Sequence, residues 1–302
     1  MKTEITNSLM CDPITGVCEV PQLAEATINQ KTSRPVKLVF FTDPICSSCW
    51  GIEPQMRKLQ QEYGDYFEVE YRMGGLLQSW STYGGTDVSG PQSVAQHWDE
   101  ASQHYGMPID GAVWLKDPLS SSYPPSVAVK AAQLQDVQKG EKLLRRLKEM
   151  VFVEKKNITR WEVIAEAALY AGLELVQLQK DFHGAAKDLF EEDLALKKNL
   201  GVRGFPTIFF TDEEGNQFKV YGSKPYETYE QALLKLVPNA VKSKTPKSYE
   251  TVFNCYDSVT TKEFAVLTNK STAEATIILE YLQQQGRLEK IEIKNGALWR
   301  KI

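Results

Sequence analysis

The stretch FTDPICSSCWGIEP at residues 41–54 contains two cysteines, Cys46 and Cys49, separated by two residues. It follows the apolar run VKLVFFTD at 36–43, which is rich in β-forming residues and predicts a buried strand. After the cysteines, apolar side chains recur at helical spacing: Ile52, Met56, Leu59 and Tyr63. The C-x-x-C motif is therefore expected between a strand and a helix. It is a working dithiol, half of a metal site, or a retained pair in a protein with another task.

The position of the motif has a chemical logic. A cysteine at the start of a helix meets unpaired N–H groups and the positive end of the helix dipole, which lower its pKa and favour a nucleophilic thiolate. Cys49 lies about one turn after Cys46, where it can attack a mixed disulfide and release the partner. We therefore predict that Cys46 attacks, that Cys49 resolves, and that Trp50 packs over the motif.

Zinc binding is the main rival interpretation. A structural zinc site needs four ligands. Cys11 and Cys18 have a C-x6-C spacing that is not that of a zinc knuckle, and the three histidines are scattered along the chain. Redox chemistry is therefore favoured, and neither a metal site nor a cofactor is predicted. A retained but inessential dithiol remains an alternative.

Composition limits the class of protein. The chain has 302 residues, 42% apolar residues and a formal net charge of −4, which predicts packed domains without a general attraction to nucleic acid or membrane. No apolar stretch follows the early lysine, and no run approaches the roughly 18 apolar residues of a membrane span. We expect a cytoplasmic protein, in which the five cysteines are not a disulfide framework.

The order of elements indicates the fold class. A second strand is predicted at 66–75 (YFEVEYRMGG), helices at about 93–201, strands in PTIFFTD and QFKVYG, and then a helix. Capping boxes are predicted at Thr159/Glu162 and Ser271/Glu274. Strand, C-x-x-C, helix, strand, helical block, strand, strand and helix form an α/β, thioredoxin-like order with a helical insertion.

Four regions are predicted. They are an irregular N-terminal arm with a cysteine pair at 1–35, the thioredoxin-like domain at 36–238, a linker at 239–249 and a small α+β module at 250–302. The module resembles a winged helix with an Asn295-Gly296 hairpin turn. Its seven basic and seven acidic residues, and a second helix without Lys or Arg, argue against DNA binding. Protein recognition or dimerisation is favoured instead.

FTDPICSSCW, the helical insertion and GVRGFPT at 201–207 together resemble the DsbA-like thioredoxin superfamily. The resemblance implies that Pro206 forms a cis peptide bond, faces the dithiol and takes part in catalysis. Phe205 and Thr207, with Trp50, would line the substrate groove. Trp98 and Trp114 either edge this groove or belong to the core, which is the commoner role of such aromatic residues.

Three stretches resemble a cytoplasmic branch that contains FrnE-type oxidoreductases and SpxH (YjbH) adaptors. They are DPICSSCWGIEPQMRKL at 43–59, GAVWLKDPLSSSYPPSVAVKAAQLQ at 111–135 and VFVEKKNIT at 151–159. The resemblance implies first a thiol–disulfide oxidoreductase that acts on protein or small-thiol substrates. The alternative is an adaptor that delivers an Spx-like client to the ClpXP protease, with the dithiol as a redox sensor.

Some residues depart from the family pattern. Ser47-Ser48 separates the cysteines, in place of the Gly-Pro of thioredoxin or the Pro-His of DsbA. Phe40 stands where thioredoxin-like proteins often hold a buried acid. The nearest acid, Asp43, either relays protons to the dithiol through water or merely ends the strand.

The other three cysteines lie outside the C-x-x-C motif. The segment CDPITGVC can fold back as a turn, so Cys11 and Cys18 are either a second redox pair or incidental thiols on a loose arm. We expect Cys255 to be a small buried apolar residue.

Overall fold

A computed structural model describes residues 34–83 and 89–302, together with the backbone of two short strands near the N-terminus. The main sheet has six strands in the order β1-β2-β6-β5-β3-β4. These strands are β1 Met10–Cys11, β2 Val17–Glu19, β3 Val36–Thr42, β4 Phe67–Met73, β5 Thr207–Asp212 and β6 Gln217–Tyr221. The predicted thioredoxin-like sheet is confirmed.

The position of β3 within this sheet places the dithiol. This strand pairs in parallel with β4 and antiparallel with β5, so it is covered on both edges. Its side chains are buried at Val36, Leu38 and 40–42, as the apolar run predicts. The C-x-x-C motif follows directly after its C-terminal end.

Two helices, α1 Ser47–Gly51 and α2 Glu53–Tyr63, connect β3 to β4. In the described residues between β4 and β5, seven helices follow one another. They are α3 Pro91–Tyr105, α4 Ala112–Lys116, α5 Tyr123–Gln135, α6 Val137–Phe152, α7 Trp161–Tyr170, α8 Leu175–His183 and α9 Ala185–Asn199. The helix α10 Tyr226–Leu236 follows β6. The helical insertion predicted in the middle of the fold is present.

Separate apolar cores hold these layers together. One contains the inner faces of α2 and α10 and one face of the sheet, where Leu59, Phe210 and Tyr229 are fully buried. A larger core lies within the helical insertion and includes Trp98 and Phe152. Because this second core extends to Ile45 and Trp50, the dithiol segment lies at its margin.

The C-terminal region is a small α+β unit with its own core. It contains α11 Tyr249–Cys255, α12 Thr261–Thr268 and α13 Thr272–Gln284, and a sheet in the order β7-β9-β8. The strands are β7 Ser258–Thr260, β8 Leu288–Ile293 and β9 Gly296–Lys301. The predicted capping box of Ser271 and Glu274 is confirmed at the start of α13.

Buried ion pairs attach this unit to the rest of the protein. Arg145 of α6 donates two hydrogen bonds, of 2.8 and 3.0 Å, to the carboxylate of Glu263 in α12. Arg57 of α2 lies 3.3 Å from the same carboxylate. Glu263 is fully buried, so both guanidinium groups compensate a charge that would otherwise be costly to desolvate.

The carboxylate of Glu62 is one of the groups that attach the segment between α10 and α11. Glu62 of α2 accepts hydrogen bonds from Tyr226 at 2.6 Å and from Lys247 at 2.8 Å, and Lys242 lies 2.9 Å away. These contacts lower the pKa of Glu62 to about 2, although its partial burial acts in the opposite direction.

The structure corrects two sequence predictions. The arm is not irregular throughout, because Met10–Cys11 and Val17–Glu19 extend the main sheet alongside β6. Cys255 is exposed rather than buried, because it lies at the last residue of α11 on the solvent side. The four domain boundaries remain a prediction.

Two further properties concern residues 34–83 and 89–302. None of the helices there combines the length and the apolar character that a membrane crossing requires. The same residues contain no cluster of three or more His, Cys, Asp or Glu side chains that could hold a metal ion.

Candidate functional site

Cys46 is the N-terminal capping residue of α1. Its backbone is extended, and its Sγ accepts a hydrogen bond of 3.2 Å from the N–H of Cys49. Both thiols are free, with Cys46 5% exposed and Cys49 fully buried. Cys46 therefore lies at the start of the helix, as the sequence predicts, and both cysteines are buried.

The pKa of Cys46 differs from the prediction. Burial raises it well above its usual value, and the Cys49 thiol and the Asp43 carboxylate raise it further. The N–H of Cys49 acts in the opposite direction. The expected lowering does not occur because Cys46 is almost completely desolvated, and the single N–H bond from Cys49 does not compensate for that burial.

Asp43 ends β3 and joins three segments around the dithiol. Its Oδ1 accepts from the N–H of Ile45 at 3.1 Å, and its Oδ2 accepts from the N–H of Leu76 at 2.7 Å and from the hydroxyl of Ser122 at 2.8 Å. Burial raises its pKa to about 6, against the effect of these donors and of Lys197. Asp43 thus ends the strand and also positions the dithiol loop.

Trp50 packs into the core rather than the groove. It is fully buried, its Nε1 donates to the carbonyl of Pro108 at 3.1 Å, and its ring stacks on Phe152 with centroids 5.6 Å apart. Thr207 is also fully buried, and its hydroxyl donates to the carbonyl of Gly204 at 2.7 Å. The core and the loop before β5 therefore occupy the two side chains, and their place in a substrate groove remains a prediction.

A cavity of about 190 Å³ opens beside Cys46. Its lining is mainly apolar and aromatic, with Trp80, Trp98, Trp114 and Phe205, and also includes Ser47, Ser48 and His97. The tryptophan rings pack edge to face, with Trp98 and Trp114 centroids 5.3 Å apart. Both tryptophans thus line the cavity and belong to the core, so the two sequence interpretations describe the same side chains.

The loop before β5 forms the other side of this cavity. The Phe205–Pro206 peptide bond is cis, as the resemblance implies. A Cβ on Gly74 would lie 2.0 Å from the Phe205 ring, so only glycine at that position leaves room for the ring. Lys197 donates to the carbonyl of Gly74 at 2.7 Å and holds the facing loop. Sequence reasoning missed Gly74, Lys197 and Ser122, because their roles depend on contacts distant in the chain.

The dipeptide between the cysteines also has a partner. The hydroxyl of Tyr105 donates to Ser48 Oγ at 3.0 Å. The Tyr105 ring lies so close to Gly51 that a Cβ there would come within 2.4 Å of it. Helix α3 therefore fixes α1 from outside the cavity.

The backbone register brings the other two cysteines opposite each other. Cys11 of β1 pairs with Cys18 of β2 in an antiparallel ladder. Directly opposed residues in such a ladder have Cα atoms about 4.5–5.5 Å apart, which is within the span of a disulfide. Their side chains lie outside the described part of the structure.

Comparisons with known proteins agree with this geometry. A thioredoxin family model matches residues 39–231. The cytosolic disulfide reductase DsbM from Pseudomonas aeruginosa is similar with a TM-score of 0.53 and 22% identity, over 66% of this chain and 99% of that chain. A probable DsbA oxidoreductase from Streptomyces coelicolor has a TM-score of 0.53 and 17% identity, over 69% of this chain and 93% of the other. These likenesses show a DsbA-like fold.

Similarity to curated proteins extends further along the chain. The ClpXP adapter protein SpxH of Halalkalibacterium halodurans is 37% identical over 97% of each chain. The chain belongs to the SpxH family. The SpxH protein of Bacillus subtilis is 31% identical over 89% of this chain and 90% of the other. The SpxH likeness therefore includes the C-terminal unit, which lies beyond the thioredoxin match.

Proposed function

We propose that this protein is a cytoplasmic adaptor that presents a client regulator, of the Spx type, to the ClpXP protease. The observation that carries the proposal is the likeness to a protein named ClpXP adapter over 97% of both chains. The burial of Cys46 and Cys49 supports it as well, since buried thiols are poorly accessible to a substrate disulfide.

The adaptor proposal predicts a ternary complex. Purified protein, an Spx client and the ClpX ATPase should elute together from a size-exclusion column. The Cys46→Ser/Cys49→Ser variant should form the same complex, because binding does not require thiol chemistry. Separate elution of the client or of ClpX from the intact protein would contradict the proposal.

Thiol–disulfide exchange is a second candidate function. It is favoured by one observation, the opening of an apolar cavity between Cys46 and the Phe205–Pro206 loop. The Cys46 thiolate would attack a substrate disulfide, form a mixed disulfide and release one substrate sulfur as a thiolate, which takes up a proton. Cys49 would then attack Cys46 Sγ and release the other sulfur. The substrate is reduced, and Cys46 and Cys49 form a disulfide.

In this second function Phe205 and Pro206 would hold an extended substrate, and Asp43 would accept the proton of Cys49 through water. An insulin-reduction assay tests it. Turnover by the intact protein that is lost in Cys46→Ser supports exchange. Absence of dithiol-dependent turnover contradicts it and leaves the dithiol as a redox sensor within the adaptor.

Cys11 and Cys18 are proposed as a second redox pair. The support is their opposed register in the β1–β2 ladder. They would be oxidised to a disulfide by exchange with an oxidised Cys46–Cys49 pair, which is thereby reduced.

A further inference from the structure

A second cavity, of about 440 Å³, lies where α2, β4 and α6 meet the C-terminal unit. Met56, Phe67 and Val69 contribute apolar surface to it, and Tyr256, directly after α11, lines it from the C-terminal unit. Its volume falls within the roughly 300–1,000 Å³ of sites that bind small ligands. The cavity is separate from the one beside Cys46, since the two share no lining residue.

Glu141 of α6 lines this cavity without a partner. Within the described residues its carboxyl group makes no hydrogen bond or ion pair, and burial is the sole influence on its pKa. Arg145 lies four residues later, where a Glu–Arg pair on a helix is normally favourable. Arg145 is instead engaged by Glu263, and Lys142 pairs with Asp257 at 2.7 Å. Both neighbouring cations therefore pair with carboxylates of the C-terminal unit.

The charged groups of α2 are also occupied. Glu53 accepts a hydrogen bond of 2.8 Å from Lys148. The guanidinium group of Arg57 pairs with Glu263 and also lies over the ring of Tyr256, with its Cζ atom 4.1 Å from the ring centroid. An anionic ligand would have to compete with the buried Glu263 for Arg57 and Arg145. Because Arg57 and Arg145 already pair with Glu263, the cavity is a poor site for an anion.

The other titratable groups that line this cavity lie on β4 and just before β3. Tyr71 and Glu68 of β4 line the cavity, and Arg34 lies at the start of the described chain. Burial raises the pKa of Tyr71 well above its usual value, and the nearby Glu53 and Glu141 raise it further. Tyr71 is therefore a neutral hydroxyl beside Glu141, able to share a bound donor.

We propose that this cavity binds an organic cation, an alkylammonium or guanidinium group, which pairs with Glu141. The group is supplied either by a basic side chain of a partner protein or by a free amine. The ligand supplies the positive charge that Arg145 and Lys142 do not. This site is independent of the dithiol and of the proposed adaptor function.

Binding is linked to pH through Glu141. Burial raises the pKa of Glu141 to about 7, so its carboxyl group takes up a proton near neutral pH when the site is empty. A bound cation favours the ionised carboxylate, so binding near neutral pH releases protons. Affinity therefore weakens as the pH falls below 7.

Calorimetric titration of the full chain tests the proposal. The probes are a blocked five-residue peptide with one central arginine, its citrulline counterpart, and ethylguanidinium. The arginine peptide should bind, and the neutral citrulline peptide should bind about tenfold more weakly or not at all. Tighter binding of the peptide than of ethylguanidinium identifies a protein side chain as the source. Equal binding identifies a free cation.

Glu141→Gln keeps the shape of the side chain and removes its charge. It should lower affinity for the arginine peptide about tenfold or more and abolish proton release measured in buffers of different ionisation enthalpy. Glu191→Gln, an exposed change on α9, is the matched control and should leave both unchanged. Undetectable binding of every probe to the intact protein would overturn the proposal, as would equal binding of the citrulline peptide or unchanged affinity in Glu141→Gln.

Discussion

The guanidinium group of Arg145 lies over the ring of Trp50, 4.3 Å from its centroid. Trp50 is adjacent to Cys49, and Arg145 donates to Glu263 of the C-terminal unit. A single arginine therefore contacts both the dithiol helix and the C-terminal unit. Its position explains why the two parts of the chain meet at a buried, charged interface.

Replacing Arg145 should weaken this interface. Arg145→Ala leaves Glu263 buried with Arg57 alone, and we expect a loss of about 3 kcal/mol in the free energy of unfolding. Urea unfolding followed by tryptophan fluorescence measures the change. Arg160→Ala removes an exposed, solvent-screened pair with Asp117 and should lower the free energy of unfolding much less. Equal losses in the two variants would contradict this account of the interface.

Asp43 should control the reactivity of Cys46. Burial raises the pKa of Cys46 most, and the Asp43 carboxylate raises it further, so Asp43→Asn should lower that pKa and speed alkylation by iodoacetamide at pH 8. The amide of this variant would also lose at least one accepted hydrogen bond, at a cost of about 1–3 kcal/mol. Asp65→Asn, an exposed change after α2, serves as the control. An alkylation rate that is unchanged in Asp43→Asn would show that the carboxylate does not act on the thiol.

Glu62 should contribute stability that is lost in acid. Its pKa falls from the ordinary 4.5 to about 2 in the folded protein, so the contribution is complete above 4.5 and declines as the pH falls from there towards 2. Allowing for solvent screening, we expect about 1–2 kcal/mol. Unfolding in urea at pH 6 and pH 3 should show a smaller pH dependence in Glu62→Gln than in the intact protein. Glu214→Gln, in the exposed turn before β6, should behave like the intact protein.

The proposed pair of Cys11 and Cys18 can be counted directly. The Cys46→Ser/Cys49→Ser variant retains three of the five cysteines. After mild oxidation and denaturation it should titrate with one free thiol, Cys255, because the other two form a disulfide. Three free thiols would show that the opposed register does not lead to bonding.

Local sequence signals predicted the elements with short-range causes. The β3 run, the C-x-x-C motif and the cap of Ser271 on α13 all depend on residues within a few positions of one another. The cap predicted at Thr159 did not form, because the Thr159 hydroxyl donates to Asn157 Oδ1 at 2.6 Å and Arg160 precedes α7. The Thr159 side chain is therefore oriented towards Asn157 rather than towards the first N–H groups of α7.

The pKa of Cys46 and the position of Trp50 depend on long-range packing, which the sequence alone does not predict. Burial of Cys46 against Asp43 and the helical insertion reversed the expected direction of its pKa shift. Stacking on Phe152 places the Trp50 ring in the core of the helical insertion. The position of Trp50 depends on a contact with a residue more than a hundred positions away, and the pKa of Cys46 depends on its burial. A local sequence pattern predicts neither.

The rate at which ClpXP degrades an Spx client tests the central claim most directly. The intact protein should accelerate degradation when added to purified ClpXP and client, and Cys46→Ser/Cys49→Ser should accelerate it equally under reducing conditions. Degradation that is no faster with the intact protein than without it would contradict the adaptor account.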